Sequence, residues 1–178
     1  MLFIRVIVVE QLKRQASFYV KASRRIWKSM NYVISVSLVL VNLKVSMKIL
    51  CWKVMEHLGF QSMEEAFEKF GDDGYQIISE TVEKIDETGM SENWDEMVAR
   101  LKNALATVSA ENQVENANVL VVSHGMAINT IISFFDKSLI NPDLANASVT
   151  RLAFENGKWT IETVNDLSYI EAGKLVLV

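Results

Sequence analysis

Between Val119 and Phe135 an apolar run passes through three polar residues into a helical pattern, and few architectures accommodate that succession. Val119–Val122 (VLVV) is continuous, short and rich in β-branched residues, the pattern of a strand covered on both faces. Ser123-His124-Gly125 follows. From Met126 to Phe135, Ile128, Ile131, Ile132 and Phe135 fall at helical intervals. A buried strand feeding a helix through a short turn is a unit of α/β folds built on a parallel sheet. Further on, Ser148–Phe154 and Lys158–Val164 flank Asn156-Gly157, the strongest short hairpin signal, because a tight turn there needs positive φ at both central residues. An antiparallel edge on a mostly parallel sheet is the expected outcome.

Upstream, three amphipathic helices are expected. Ser62–Phe70 places Met63, Ala66, Phe67 and Phe70 on one face, with Ser62 as N-cap and Glu65 completing a capping-box pattern. Gly71-Asp72-Asp73-Gly74 breaks that helix. Tyr75–Thr88 forms a second one through Ile77, Ile78, Val82 and Ile85, with Gly89 as its stop. Trp94–Val108 presents Trp94, Met97, Val98, Leu101 and Leu105, and Glu111–Asn118 reads as a polar loop.

Composition divides the chain at Gly59. Residues 1–58 carry ten Lys/Arg against Glu10 and Glu56 and contain no Gly, Asp, Thr or Pro; residues 59–178 carry eight basic against twenty acidic side chains. The first part therefore lacks most turn-forming residues, and residues 1–50 are expected to pack poorly on the rest. Within it, the apolar run Tyr32–Leu43 follows a basic cluster of Lys21, Arg24, Arg25 and Lys28. The uncharged stretch falls short of the ~18–20 residues of a spanning helix and holds serines and asparagines, so a β-branched strand is the alternative to an anchor. At 178 residues, half of them apolar, the chain suits one domain. The single cysteine, Cys51, allows no disulfide framework, which fits a reducing cytoplasm. With two histidines, His57 and His124, and no cysteine cluster, no metal or other cofactor is expected. A net charge of −4 argues against a nucleic-acid partner.

In open α/β sheets ligands gather at the carboxyl ends of strands, where a helix N-terminus offers unpaired N–H groups to an anion. Ser123-His124-Gly125 takes that place. His124 can donate a hydrogen bond to a phosphoryl oxygen, and Gly125 lets the backbone approach a bound group. A solvent-facing loop histidine is the competing reading on geometry alone.

The wording VLVVSHG, then Asn146-Ala147-Ser148, the hairpin FENGKW, and VNDLSY at Val164–Tyr169 resembles the histidine phosphatases of the phosphoglycerate mutase-like superfamily over most of Gly59–Gly173. The resemblance implies an α/β three-layer sandwich with a mostly parallel central sheet, incomplete at the N-terminus. It implies phosphomonoester hydrolysis or phosphoryl transfer through a phosphohistidine, with His124 binding the transferred group and stabilising its charge. The family's nucleophile lies in a separate Arg-His-Gly motif, and this sequence has none. His57, in VMEHLGF, reads as a surface helix histidine. Also missing are the family's arginine-bearing segment and its G-x-x-E-G segment. Back-translated with permitted codons and read one base earlier, Val6–Gln15 can spell D-R-G-R-A-T-E-T-A and Leu38–Lys48 can spell S-F-G-K-F-E-G-E-H-E, a frame displacement that would account for the unusual first 58 residues.

Three functional expectations follow. The first is a phosphatase or phosphoglycerate mutase-like enzyme acting on a small phosphorylated metabolite in the cytoplasm. The second is a pseudoenzyme remnant, without turnover, that binds phosphorylated ligands through His124 and Gly125; the missing nucleophile favours it. The third is a membrane-associated protein anchored by residues 21–50.

Overall fold

β-branched residues dominate FIRVIVVE, and in the computed structural model this stretch is β1 (Phe3–Glu10), at the centre of a five-stranded sheet. The structure describes residues 3–10, 32–35, 47–89, 91–113 and 116–174. The strand order is β2-β3-β1-β4-β5, with β2 at Tyr32–Ser35, β3 at Ala117–Ser123, β4 at Val149–Glu155 and β5 at Lys158–Asp166. β3 runs parallel to both β2 and β1, in a register from Ile4 opposite Ala117 to Glu10 opposite Ser123. β4 pairs antiparallel with β1, and β5 antiparallel with β4. The fold is thus α/β on a mixed sheet, with a parallel half and the antiparallel edge that the hairpin signal predicts. Asn156 (φ 52°) and Gly157 (φ 80°) supply the two positive φ values of that turn.

The expectation that residues 1–50 pack poorly is overturned for Phe3–Glu10 and Tyr32–Ser35, which are hydrogen-bonded into the sheet. Turn residues are needed at the ends of a strand and not inside it, so their scarcity does not prevent FIRVIVVE from pairing along its whole length. Lys21, Arg24, Arg25 and Lys28, Arg14 and residues 36–46 of the apolar and frame-displaced stretches lie outside the described residues. No helix among the described residues is long and apolar enough to cross a membrane.

The chain divides into two units, residues 1–37 with 103–178, and residues 38–102. In the first, successive residues of β3 alternate between the faces of the sheet. Leu120 lies opposite Ile7, which lies opposite Arg151. On that face Leu120 and Val149 pack with Val122 and with Tyr169, from the short C-terminal helix Ser168–Lys174. Val119, Val121 and Ser123 occupy the other face, all buried. Leu152 of β4 is fully enclosed, and burial of one such side chain contributes about 1.5–3 kcal/mol.

The second unit contains α1 (Met47–Leu58), α2 (Met63–Phe70), α3 (Gly74–Ile85) and the first half of α4 (Trp94–Glu111), whose second half belongs to the first unit. α2 begins as its sequence predicts. Ser62 Oγ accepts from Glu65 N at 3.2 Å, while the Glu65 carboxylate reaches back to Gln61 N at 2.9 Å. α3 stops at Ile85 instead of Thr88, because Asp86 leaves the helical region and its carboxylate accepts from Thr88 N, Thr88 Oγ1 and Ser91 N. These bonds, led by those of Thr88, hold the Asp86 carboxyl well below its ordinary value. α4 runs a turn beyond the expected end. It is capped by a reciprocal pair, Glu96 N to Asn93 Oδ1 at 2.9 Å and Asn93 N to Glu96 Oε2 at 3.0 Å. The polar loop is correspondingly shorter, since β3 starts at Ala117.

Candidate functional site

Ser123 closes β3, His124 is the N-cap of the next helix, and Gly125 opens that helix, α5 (Gly125–Ser133). The strand-turn-helix expected from VLVVSHG is therefore present, with β3 interior and His124 at its carboxyl end. His124 is extended (φ −127°, ψ 156°), and its carbonyl accepts the first intrahelical bond from Ile128 N at 2.9 Å. Its side chain makes no capping bond to the helix, so the first-turn N–H groups of α5 have no side-chain acceptor from the N-cap position. The imidazole is half-buried. Gly125 is helical, and the chain turns at the extended His124 backbone; the glycine leaves the first turn of α5 without a side chain at its opening, where the backbone can approach a bound group.

β1 ends beside this turn, with Glu10 opposite Ser123 in a parallel register, so two parallel strands deliver their carboxyl ends side by side. Only one of those ends carries a histidine. After Glu10 the sequence continues Gln11-Leu12-Lys13. His57 sits in the last turn of α1, exposed, in the other unit of the chain. Arg151 lies opposite Ile7, three residues back from the end of β1 and so roughly 10 Å from it along the strand. It is already engaged by Thr163 Oγ1 at 3.2 Å, Tyr169 OH at 3.4 Å and Glu162 at 3.7 Å. Its guanidinium therefore braces β4, β5 and the C-terminal helix.

Two hydroxyls on the Ser123 face of the sheet stand out. Among the described residues, Ser123 Oγ and Thr150 Oγ1 are buried with no hydrogen-bond partner. Thr150 is opposite Val8 as Ser123 is opposite Glu10, so the pair flanks the last residues of β1.

Asn129 was not singled out by sequence, where it counts only as a polar interruption in an apolar helix. Its carboxamide is completely enclosed and ties the first turn of α5 to Asn141. Two of the motifs that carry the family resemblance, NAS and VNDLSY, also meet in space, and the bonds they make there are structural. Asn165, at φ 57°, accepts from Ala145 N at 2.9 Å and so ties VNDLSY to the NAS turn, where Ala147 holds φ 62°. Asp166 accepts from Ser168 N at 2.9 Å at the start of the C-terminal helix. Among the described residues no group of three or more His, Cys, Asp or Glu is arranged to hold a metal ion.

Comparison with known proteins agrees with this geometry. The solved structures it resembles include a phosphoglycerate mutase from Bacillus anthracis, 21% identical, with a TM-score of 0.74 and 97% of each chain covered. Two phosphoserine phosphatase structures from Entamoeba histolytica also match. A mutant in complex with phosphoserine is 17% identical with a TM-score of 0.50, covering 96% of this chain and 100% of that one. A complex with 3-phosphoglyceric acid is 16% identical with a TM-score of 0.53, at the same coverage of 96% and 100%. These likenesses establish the fold. Among curated proteins nothing matches this chain. The histidine phosphatase superfamily (branch 1) matches residues 41–167, a span that starts upstream of Gly59 and runs from before α1 through the hairpin, and the chain belongs to that family.

Proposed function

We propose that this chain binds a small phosphorylated metabolite at the carboxyl end of β3 and does not turn it over through a phosphohistidine. His124 is the phosphoryl ligand. The N–H groups opening α5 at Gly125 are the second set of donors, acting on the anion through the helix N-terminus. The observation that carries the reading is the pairing of Glu10 with Ser123: the strand ends that would present two imidazoles to one phosphorus present only His124. One histidine cannot both attack phosphorus and stabilise the oxygens of the group it attacks. The other histidine, His57, stands in no motif resembling the family's nucleophile segment. Residues 1–58 then carry neither the nucleophile motif nor the arginine motif, while residues 41–167 keep the family's character. The cytoplasm, where such metabolites are abundant, is the compartment that suits this role.

The phosphoserine and 3-phosphoglyceric acid held by the two structural relatives supply the probes. Calorimetric titration with inorganic phosphate, vanadate, phosphoserine and 3-phosphoglycerate is expected to show weak binding that His124→Ala abolishes. No acid-labile phosphoenzyme should form, and hydrolysis of p-nitrophenyl phosphate should stay negligible, since losing a covalent nucleophile leaves only the small catalysis of binding and electrostatics. Rapid turnover lost in His124→Ala would overturn the proposal.

A further inference from the structure

We propose that Asn129 is a positioning residue for the His124-Gly125 turn, setting the direction of the first-turn N–H groups of α5. The inference rests on the phosphoryl-binding role proposed for that turn. Asn129 is fully buried in a helix whose neighbouring residues Ala127, Ile128, Ile131 and Ile132 are buried and mostly apolar. A carboxamide in such a place is costly unless each of its polar atoms is bonded, and here they are. Nδ2 donates to Gly125 O at 3.1 Å and to Asn141 O at 2.9 Å, and Oδ1 accepts from Asn141 N at 2.8 Å.

Two of the three bonds grip both backbone groups of a single residue, Asn141, so the side chain acts as a short piece of sheet edge between α5 and the loop after Lys137–Leu139. That loop is itself braced, since Ile140 N donates to Lys137 O at 3.2 Å and Asp143 N to Asn141 Oδ1 at 3.0 Å. The third bond reaches the turn. Gly125 C=O and Met126 N–H belong to one planar peptide unit, so fixing the carbonyl fixes the N–H. Met126 N–H is among the donors at the start of α5 that have no intrahelical acceptor. Asn129 therefore couples a braced loop to the orientation of a donor at the proposed anion site. A residue that merely filled the core at this position would be apolar, as Ala127, Ile128, Ile131 and Ile132 are.

The test uses the full chain and NMR of backbone amides and imidazoles, which the presence of only two histidines makes simple to assign. Asn129→Ala is expected to displace the Met126 amide and His124 imidazole signals and to weaken inorganic phosphate binding about tenfold, the effect of misdirecting a hydrogen bond to a charged group. Ile132→Ala, equally buried but at the far end of α5, is expected to lower Tm at least as much and to change neither. If Asn129→Ala does not fold, the Met126 and His124 signals of Asn129→Asp carry the test, because its carboxylate still accepts from Asn141 N but withdraws the donor from both Gly125 O and Asn141 O. Unchanged Met126 and His124 signals, or an equal loss of phosphate binding in Ile132→Ala, would overturn the inference. If His124→Ala binds phosphate as well as the parent, the proposed function fails, and the Met126 and His124 signals of the Asn129 variants still decide whether Asn129 positions the turn.

Discussion

Ser123 Oγ and Thr150 Oγ1 offer an unusual stability experiment, because neither has a hydrogen-bond partner among the described residues, and a buried hydroxyl without a partner is a cost that folding carries. Leaving such a group unsatisfied costs roughly 1–3 kcal/mol, whereas replacing it with an apolar group of similar shape removes the cost and leaves the packing nearly intact. Ser123→Ala and Thr150→Val are therefore each expected to stabilise the protein by about 1 kcal/mol. Thr130→Val is the internal control. Thr130 is as deeply buried, but its Oγ1 donates to Met126 O at 2.8 Å, so its loss should destabilise by about 1 kcal/mol. Urea unfolding at neutral pH, with m unchanged between variants, separates the two classes by about 2 kcal/mol. In thermal melts each 1 kcal/mol corresponds to a shift of roughly 2–4 °C for a chain of this size. Destabilisation of Ser123→Ala or Thr150→Val by as much as Thr130→Val would refute the reasoning. It would mean that both hydroxyls are satisfied in solution by ordered water, which the valine or alanine then strands.

Two further outcomes follow from the local geometry. Asn93→Ala removes the bond from Glu96 N to Asn93 Oδ1 that caps α4 and should cost about 1 kcal/mol in urea unfolding, with Glu96→Ala costing less because the Asn93 side chain still caps. Asp86 has its folded pKa lowered from an ordinary value of 3.8, with the Thr88 side-chain bond the largest cause, so the carboxylate stabilises the fold above that value and loses its contribution as pH falls below it. Stability curves of the parent and Asp86→Asn should accordingly converge on acidification below about pH 4; a constant gap from pH 7 down to pH 2 would show that Asp86 does not titrate with unfolding.

Much of the architecture was legible along the chain wherever a local signal decides local geometry. VLVVSHG followed by Ile128, Ile131 and Ile132 specified strand, turn and helix through a change of period, and Asn156-Gly157 specified a hairpin because few other residues tolerate two successive positive φ values. Ser62 with Glu65 marked the start of α2 for the same reason, since capping is a contact between residues three apart. The family was legible too, because its recurring words are turns and caps: Asn165 on Ala145 and Asp166 on Ser168.

Long-range pairing was not legible. Phe3–Glu10 shows only that it suits a strand; its place between β3 and β4 depends on partners more than a hundred residues away, and the scarcity of Gly, Asp and Pro around it pointed the other way. Helix ends shifted where a side chain captured backbone N–H groups, as Asp86 does for Thr88 and Ser91. Asn129 shows the limit most clearly. In the sequence it is a blemish on an apolar helix, and only the arrival of Asn141 beside it turns a buried carboxamide from a penalty into a set of directed bonds. The strand, the turn and the imidazole at His124 come from neighbours in the chain. What stands next to that imidazole, and which way the first turn of α5 points, comes from contacts that local sequence does not encode.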